Sequence, residues 1–377
     1  MENRQQQRKL SWSPPQFGTE EKEAAIRIIN SGWVTQGKET ELLEKDIQKY
    51  VGIKHAVVVN NGTSALIAAL LAHGIGPGDE VIAPTFTFIA TINSIIAVGA
   101  KPILVDSDLE TWNTTPELME KKITARTKAI MPVDIAGLPL DSDAFEAMAK
   151  KHNLVLIQDA AHLPGAKYKG KVAGNYNHTS TFSFHMAKAA TTIEGGAVLT
   201  NNDGIASLIR QIRNHGMSAP YDVKKNIHYD YTAFGLNFRI TDIQSAIGRV
   251  QFAKIEKTIQ LRNQIAKIYI DGMPQFKFQK IPAYATRHPY MFFGMLVEPA
   301  KRKKLIDEMV AKGIDIRICW RPAHKQPYHS SLFPNAKFPN SELLSEAMLC
   351  PPLGNSMTPE DAHYVVETVN KIWKKIK

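Results

Sequence analysis

The chain has 377 residues, 44% of them apolar and 22% charged, enough for one large domain and a smaller one with a substantial core. The polar start MENRQQQRKLSWSPP carries no apolar run of the secretory kind, and no stretch approaches the roughly 18 uncharged apolar residues of a membrane span, so a cytoplasmic protein without a membrane partner is expected. Cys319 and Cys350 are too few for a disulfide framework or a zinc cage, no metal site is expected, and the net charge of +10 is scattered over the chain, with small clusters at 301–304 and 374–377 and no aromatic-interleaved basic stripe; this argues against a nucleic-acid partner and suits a diphosphate-bearing substrate.

Residues 1–19 read as an extended arm, with Pro14 and Pro15 barring a helix. Thr19 is placed to cap the next helix, whose apolar positions Ala24, Ile28 and Ile29 keep helical spacing. The loop SGWVTQG follows, in which Gly32 and Gly37 bracket Trp33 and Thr35; its Trp either plugs a surface groove or meets a substrate. A β-branched strand at 56–59 runs into NNGTSALIAALLA. Asn61, Gly62, Thr63 and Ser64 therefore open a helix with free N–H groups and two hydroxyls, which is both a cap and a general anion site. The glycines of GIGPG, 74–78, precede a strand instead of following one, so they form a turn and no dinucleotide fingerprint. A strand at 80–83 ends in PTFTFIAT, whose Phe86 and Phe88 either join the core or offer a ring face. Strands at 101–105, 128–133 and 153–157, with a helix at 141–151, continue an alternation that predicts a parallel-rich α/β sheet covered on both sides.

The chain is organised around residues 153–200. Asp159 stands at the carboxyl end of its strand, where ligands bind in an open parallel sheet. A strand at 181–184 follows, then Lys188 in a loop 29 residues after the aspartate; Gly195 and Gly196 close that loop before a strand at 197–200. An acid at one strand end and a lysine after the next suit a chemistry that needs an amine nucleophile and a fixed negative charge. Pyridoxal phosphate (PLP) is such a case, its aldehyde held by a lysine amine and its pyridinium nitrogen by a carboxylate. An ordinary lysine, pKa about 10.4, is neutral in roughly one molecule in 2,500 at pH 7, so Lys188 can shuttle protons only if burial or imine formation lowers its pKa. The spacing alone is a weak signal in a chain with 46 Lys and Arg.

Beyond a helix at 204–213, the stretch FGLNFRITDIQSAIGRVQ places Ile243, Ala246, Ile247 and Val250 on one helical face and opens a long helix joining two domains. From about 251 the chain reads as a smaller α/β domain, with strands at 290–297 and 314–319 and helices at 300–312 and 359–374. In IRICWRPAHKQPYH, Arg317, Arg321 and His324 either contact phosphate or sugar or form a solvated basic loop.

DAAH, GAKYKGK and SFHMAKAATTIEGG, with SGWVTQG, PTFTFIAT and FGLNFRIT, closely resemble the DegT/DnrJ/EryC1/StrS family of sugar aminotransferases, a branch of fold-type I PLP enzymes. The resemblance implies a large three-layer α/β domain, its mostly parallel sheet carrying one antiparallel strand, and a smaller C-terminal α/β domain; here that means an arm at 1–19, a PLP-binding domain at 20–250 and a small domain at 251–377. It implies PLP as cofactor, with its pyridoxamine form as intermediate, Lys188 as the covalent anchor and proton carrier, and Asp159 on the pyridinium. Phe88, with Phe86 as competitor, stacks on the ring. Ala161 packs on a ring face, His162 approaches the phenolic oxygen, and Gly62, Thr63, Ser64 and Ser183 take the phosphate. Asn237 completes the phosphate site of a neighbouring copy, which implies a homodimer with shared sites, while Arg239 is equally well structural.

Substrate contacts fall to Trp33, Thr35, His185, Arg317, Arg321 and His324, and Glu194 fixes the loop. Ile193 departs from the glycine many relatives carry. The implied reaction transfers an amino group from glutamate, or glutamine, to a nucleotide-linked keto-sugar or an aminocyclitol precursor. A sugar dehydratase of the same family is an alternative that Lys188 argues against, since those enzymes carry histidine there, although His185 lies near. A PLP-binding regulator is a third, and no added DNA-binding module is visible.

Overall fold

Side chains of β1 (His55–Val59) alternate between two apolar layers, Val57 and Val59 on one face and Ala56 and Val58 on the other, all four buried. A strand apolar on both sides belongs in the middle of three layers. The computed structural model describes residues 9–218 and 230–376. The first eight residues of the expected arm and Lys377 of the terminal basic cluster lie outside that range. β2 (Glu80–Pro84), β3 (Lys101–Val105), β4 (Thr127–Ile130) and β5 (Val155–Asp159) follow, then a hairpin of β6 (Lys167–Tyr168) and β7 (Lys171–Val172), then β8 (Thr179–Ser183) and β9 (Gly196–Thr200). The seven-stranded sheet has the order β1-β9-β8-β5-β4-β2-β3. Its run from β8 to β3 is parallel, and β9 is antiparallel to both β8 and β1, the one reversed strand that the resemblance implied.

The helices α1 (Thr19–Ser31), α2 (Lys38–Val51), α3 (Gly62–Ala72), α4 (Ala90–Ala97), α5 (Pro116–Glu120), α6 (Ser142–Lys151), α7 (Asp203–Arg213), α8 (Asp242–Ala253) and α9 (Ile255–Gly272) divide between the two faces. Ala65, Ile92 and Ile209, from α3, α4 and α7, share one apolar layer. Leu43, Phe145 and Ile259, from α2, α6 and α9, lie in layers that include the opposite-facing residues Val58 and Ile82. A further core joins Tyr269 of α9 to Leu305 of α10 (Pro299–Ala311) and to Val365 of the last helix, Pro359–Ile376. Its sheet consists of the short strands Lys277–Phe278, Met295–Leu296 and Met348–Leu349.

Several sequence expectations are corrected by local geometry. Thr19 does not cap α1: Gly18 does, its N–H donating to Glu21 Oε2 at 2.7 Å. The strand expected from residue 153 begins at Val155, because Asn153 turns the chain with a left-handed φ of 53°, and it continues through Asp159. The strand expected at 290–297 shrinks to Met295–Leu296, since Tyr290 also has φ in the left-handed region, 46°. Residues 314–319 make only isolated bridges, Ile314 to Leu10 and Arg317 to Cys350, so the arm takes the place of a strand partner. The long joining helix is two helices, broken at Lys254.

β1 lies at the sheet edge, where unpaired backbone groups invite another strand. Here an ion pair substitutes for one: the Val58 N–H donates to Glu44 Oε1 at 3.0 Å, the Val58 carbonyl accepts from Arg213 Nη1 at 2.7 Å, and the two side chains meet at 2.6 Å, both largely buried. Removing one member strands a buried charge and one backbone group of Val58. Glu44→Ala is expected to cost about 3–5 kcal/mol in urea or thermal unfolding, with Glu44→Gln losing less.

Candidate active site

Asp159 is the last residue of β5 and is buried, its carboxylate accepting from Thr91 Oγ1 at 2.7 Å and from the Ala161 N–H at 3.2 Å. Thr87 lies 2.9 Å behind Thr91, hydroxyl to hydroxyl, so β2's end and α4's start hold the acid in one orientation. Burial raises the Asp159 pKa above the usual carboxylate range; the Thr91 bond, the Ala161 N–H and the charge of Lys188 oppose that rise.

Lys188 follows β8 and is also buried. The loop around it is closed on its own backbone: Lys188 N–H donates to the His185 carbonyl (2.9 Å), Phe184 N–H to Gly195 (2.8 Å), and Thr192 N–H to Phe184 (3.0 Å). Burial pushes the Lys188 amine down to about 7; Asp159 pulls it up and the Arg262 guanidinium pushes it further down. Near pH 7 about half of the molecules then carry a neutral amine, against roughly one in 2,500 for a free lysine. Ile193, in the same loop, has φ 73°, a left-handed conformation unusual for a β-branched residue, held by its N–H donating to Thr191 Oγ1 at 2.8 Å. Glu194 fixes the loop through its carbonyl, which accepts from Thr192 Oγ1 (2.7 Å) and Gln244 Nε2 (2.9 Å).

Gly62, Thr63 and Ser64 form the first turn of α3, capped by Asn61 Oδ1 accepting from Ser64 N–H at 2.8 Å. The neighbouring N–H groups and the positive end of the helix make an anion cradle. Ser183, ending β8, forms its other wall: a Cβ on Gly62 would stand 3.0 Å from Ser183 Cβ. The third wall is Gly196 of the reversed strand, where a Cβ would come within 2.6 Å of the Asn61 carbonyl oxygen and 2.8 Å of the Gly62 nitrogen. Only glycine lets β9 pass this close.

Of the two aromatics weighed in PTFTFIAT, Phe86 is fully buried in a core with Ala187 and Phe292, whereas Phe88 is 55% exposed. His162 is buried with Nδ1 lacking a hydrogen-bond partner, and burial holds its pKa well below 6.5. Its ring stacks on Trp320, centroids 5.6 Å apart and planes 23° from parallel. Ala161 is partly buried beside it. An unpaired buried ring nitrogen, an anion cradle, an exposed aromatic face and a buried lysine within electrostatic reach of a buried carboxylate are together the donor set that PLP requires, and these residues fit it.

The substrate candidates divide. Trp33 and Thr35 are exposed in a loop tied to α8, with Asp242 Oδ1 accepting from Gly37 N–H at 2.8 Å and the Thr35 carbonyl accepting from Asp242 N–H at 3.3 Å. His185 is half exposed, with Nε2 3.8 Å from Glu194 Oε1. Arg321 is exposed, and Arg317 pairs with Asp315 at 3.2 Å. His324 is not available to substrate: it is buried, with Nδ1 2.8 Å from Thr85 Oγ1 and Nε2 3.0 Å from Glu342 Oε1. Asn237 is exposed and bridges Asn214 through the main chain, while Arg239 donates to Asn214 Oδ1 at 2.6 Å, a structural role.

Three residues escaped the sequence reading. Thr91 closes PTFTFIAT, and nothing local signals that its hydroxyl meets Asp159. Trp320 lies between Arg317 and Arg321, and nothing local signals that its ring stacks on His162. Arg262 had a readable signal, an arginine on the apolar face of α9 between Ile259 and Ile265. Its guanidinium is buried and donates to Asn355 Oδ1 (3.0 Å), the Tyr290 and Met291 carbonyls (2.8 and 2.9 Å) and the Ala187 carbonyl (3.4 Å), binding α9 to the residue before Lys188. Among the described residues no group of three or more His, Cys, Asp or Glu could hold a metal ion, and no helix is long and apolar enough to cross a membrane.

A buried lysine and aspartate at the carboxyl edge of a mostly parallel sheet, with a helix-start anion cradle, define a PLP-dependent aminotransferase. The match of the DegT/DnrJ/EryC1/StrS aminotransferase family model to residues 15–370 makes the assignment narrower: the chain belongs to that family. It is similar over 98% of its length to all of Helicobacter pylori PseC, an aminotransferase involved in the biosynthesis of pseudoaminic acid (28% identity, 100% of that chain, TM-score 0.91). It is similar to Streptococcus pneumoniae Spr1654, assigned as a sugar aminotransferase and solved in its PLP form (26% identity, 98% of this chain and 100% of that one, TM-score 0.91) and also in a PMP form. S. venezuelae DesV is 31% identical over 93% of this chain and 94% of its own, with a TM-score of 0.87.

The electrostatics predict how the Lys188 amine titrates. In competitive labelling of cofactor-free protein with a small acylating reagent, mapped by mass spectrometry, half-reactivity at Lys188 should fall near pH 7. Asp159→Asn removes the charge that favours the ammonium, so the midpoint should move lower still; a wild-type midpoint near 10 would contradict the burial argument.

Proposed function

We propose that the enzyme transfers an amino group from glutamate, or alternatively glutamine, to a keto-sugar carried on a nucleotide, in the making of a polysaccharide or antibiotic sugar. The observation that carries this reading is that Lys188 and Asp159 are both buried at the carboxyl ends of the neighbouring strands β8 and β5, within electrostatic reach of each other. Support for a sugar acceptor comes from the assignment of Spr1654, and the chain's +10 charge suits a diphosphate-linked substrate.

PLP, when bound, supplies an aldehyde that bonds covalently to amines and a protonated ring that withdraws electrons. Asp159, oriented by Thr91, would hold the proton on the ring nitrogen. Gly62, Thr63, Ser64 and Ser183 would hold the phosphate, His162 the phenolic oxygen, and Phe88 and Ala161 the two ring faces. Lys188 would anchor the cofactor, and its amine would take a proton from the substrate carbon and return it, a role its depressed pKa allows. Trp33, Thr35, His185, Arg317 and Arg321 stand as the substrate-facing set. We place the domain boundary near residue 250 and assign the arm to 1–19. The working form is a homodimer in which Asn237 serves the phosphate site of the neighbouring copy.

Two experiments test this. The enzyme carrying its cofactor in the amine form is mixed with dTDP-, UDP- and GDP-linked keto-sugars, and the visible absorbance of the aldehyde form should return with the true acceptor alone. Lys188→Ala should lose on the order of 10³-fold or more in rate, and elimination of water without amine transfer would favour the dehydratase instead. For the shared site, subunits bearing Lys188→Ala and Asn237→Asp are each expected to be impaired as homodimers. Co-expressed, they should regain activity, because a mixed dimer contains one intact site; no recovery would place Asn237 in its own subunit's site.

A further inference from the structure

Asp134 is a fully buried carboxyl that the reaction does not use. Its main-chain N–H donates to the Asp159 carbonyl at 3.2 Å, so the two acids lie on adjacent segments at the inner edge of the site. One oxygen accepts from Leu140 N–H at 2.9 Å and the other lies 2.7 Å from the Gln158 amide. The far end of that amide is 2.7 Å from His178 Nε2, and His178 Nδ1 is 2.9 Å from Glu146 Oε1. Glu146 and His178 line an open groove of about 650 Å³ formed by the starts of β5 and β8. Four side chains thus run unbroken from that groove to the neighbour of Asp159.

With Glu146 ionised, donors and acceptors along this chain balance in two ways. With Gln158 Nε2–H donating to an Asp134 carboxylate, Gln158 Oε1 accepts from His178 Nε2–H while His178 Nδ1–H donates to Glu146, so His178 is an imidazolium. Turned over, the amide occupies the same outline. Its Oε1 then accepts from an Asp134 carboxylic acid, its Nε2–H donates to His178 Nε2, and a neutral His178 keeps Nδ1–H for Glu146. The two forms differ by one proton: the N–H bond at His178 Nε2 is broken and an O–H bond at Asp134 is formed, with the net charge unchanged and no other reactant. Glu146 stays ionised in both, because Asn177 N–H and Nδ2–H also donate to it, at 3.0 and 2.9 Å. The first form leaves a second carboxylate beside Asp159 and an imidazolium in the interior; the second leaves neither.

We propose that this chain holds Asp134 as the neutral acid and His178 as the neutral base, with the Gln158 amide turned accordingly, so that no second buried carboxylate stands charged beside Asp159, the acid that a bound pyridinium would meet. The inference rests on the reading of Asp159 given above, and Asp134, Gln158 and His178 act as positioning residues. Burial supports it, raising Asp134 to about 8 with Asp159 adding to the rise, and taking His178 below its usual value despite Glu146. Asp143, Lys150 and His73 line the same groove as Glu146 and His178, Asp143 paired with Lys169 and His73 kept neutral by burial; the titratable groups against the buried end of the chain are uncharged. Tyr176 stacks on His178 at 4.8 Å; its phenol and that of Tyr284 are held protonated by burial; and His162, against the Asp134 main chain, is kept neutral.

The test uses the full-length chain without cofactor. Infrared spectra of aspartate-labelled protein should show an un-ionised carboxyl band at neutral pH that is lost as pH rises through about 8 and is absent in Asp134→Asn. Nitrogen NMR of labelled histidines, with His178→Asn for assignment, should show His178 protonated at Nδ1 alone. Absence of the band in the wild type, which needs no variant, or a doubly protonated His178 overturns the proposal. The band appearing in a protein whose Lys188 binds no cofactor would uphold the acid and overturn the earlier reading of the site instead.

Discussion

Everything in this site depends on one ammonium group being taken out of water. Lys188 is buried within electrostatic reach of Asp159 and Arg262, charges of opposite sign whose influences partly cancel, so desolvation decides its protonation. Keeping that amine neutral at pH 7 costs on the order of 5 kcal/mol relative to a solvated lysine. A cost of that size is comparable to the net stability of a small domain. It is carried by the fully covered apolar layers on both faces of the sheet and by the backbone bonds that close the Lys188 loop.

The topology explains why the groups meet. Parallel strands β5 and β8 deliver Asp159 and Ser183 to the same edge, and the loop after β8 carries Lys188 back over it. β9 then runs against its neighbours and brings Gly196 against Asn61 and Gly62, so the anion cradle is assembled from a helix start and a returning strand. Arg262 adds the long-range tie: four acceptors, three of them backbone carbonyls outside α9, fix the C-terminal half of the chain to the lysine loop. A guanidinium suits this role, since its planar fork reaches several acceptors without deprotonating.

Local chemistry made much of this legible in the sequence. The β-branched run at 56–59, the strand ending in Asp159 and the Asn-Gly-Thr-Ser helix start carry their own signals, and each stands within a residue or two of where it was expected. What was misread depends on partners far along the chain. Residues 314–319 have strand-like composition but find only Leu10 and Cys350 to bridge, and His324 looks like a substrate contact until Thr85 and Glu342 occupy both its nitrogens. Asp134, Thr91 and Trp320 are ordinary residues in one dimension; their meaning comes from neighbours that only the fold supplies.

The ion pair that caps Val58 has a bearing on how the protein behaves in crowded solution. A sheet whose terminal strand offers bare N–H and C=O groups can template the stacking of identical copies into fibres. With Glu44 and Arg213 already occupying the outward groups of Val58, a foreign backbone approaching β1 there meets satisfied partners. At Val58, backbone pairing with another copy would first have to break hydrogen bonds the chain already makes to its own side chains.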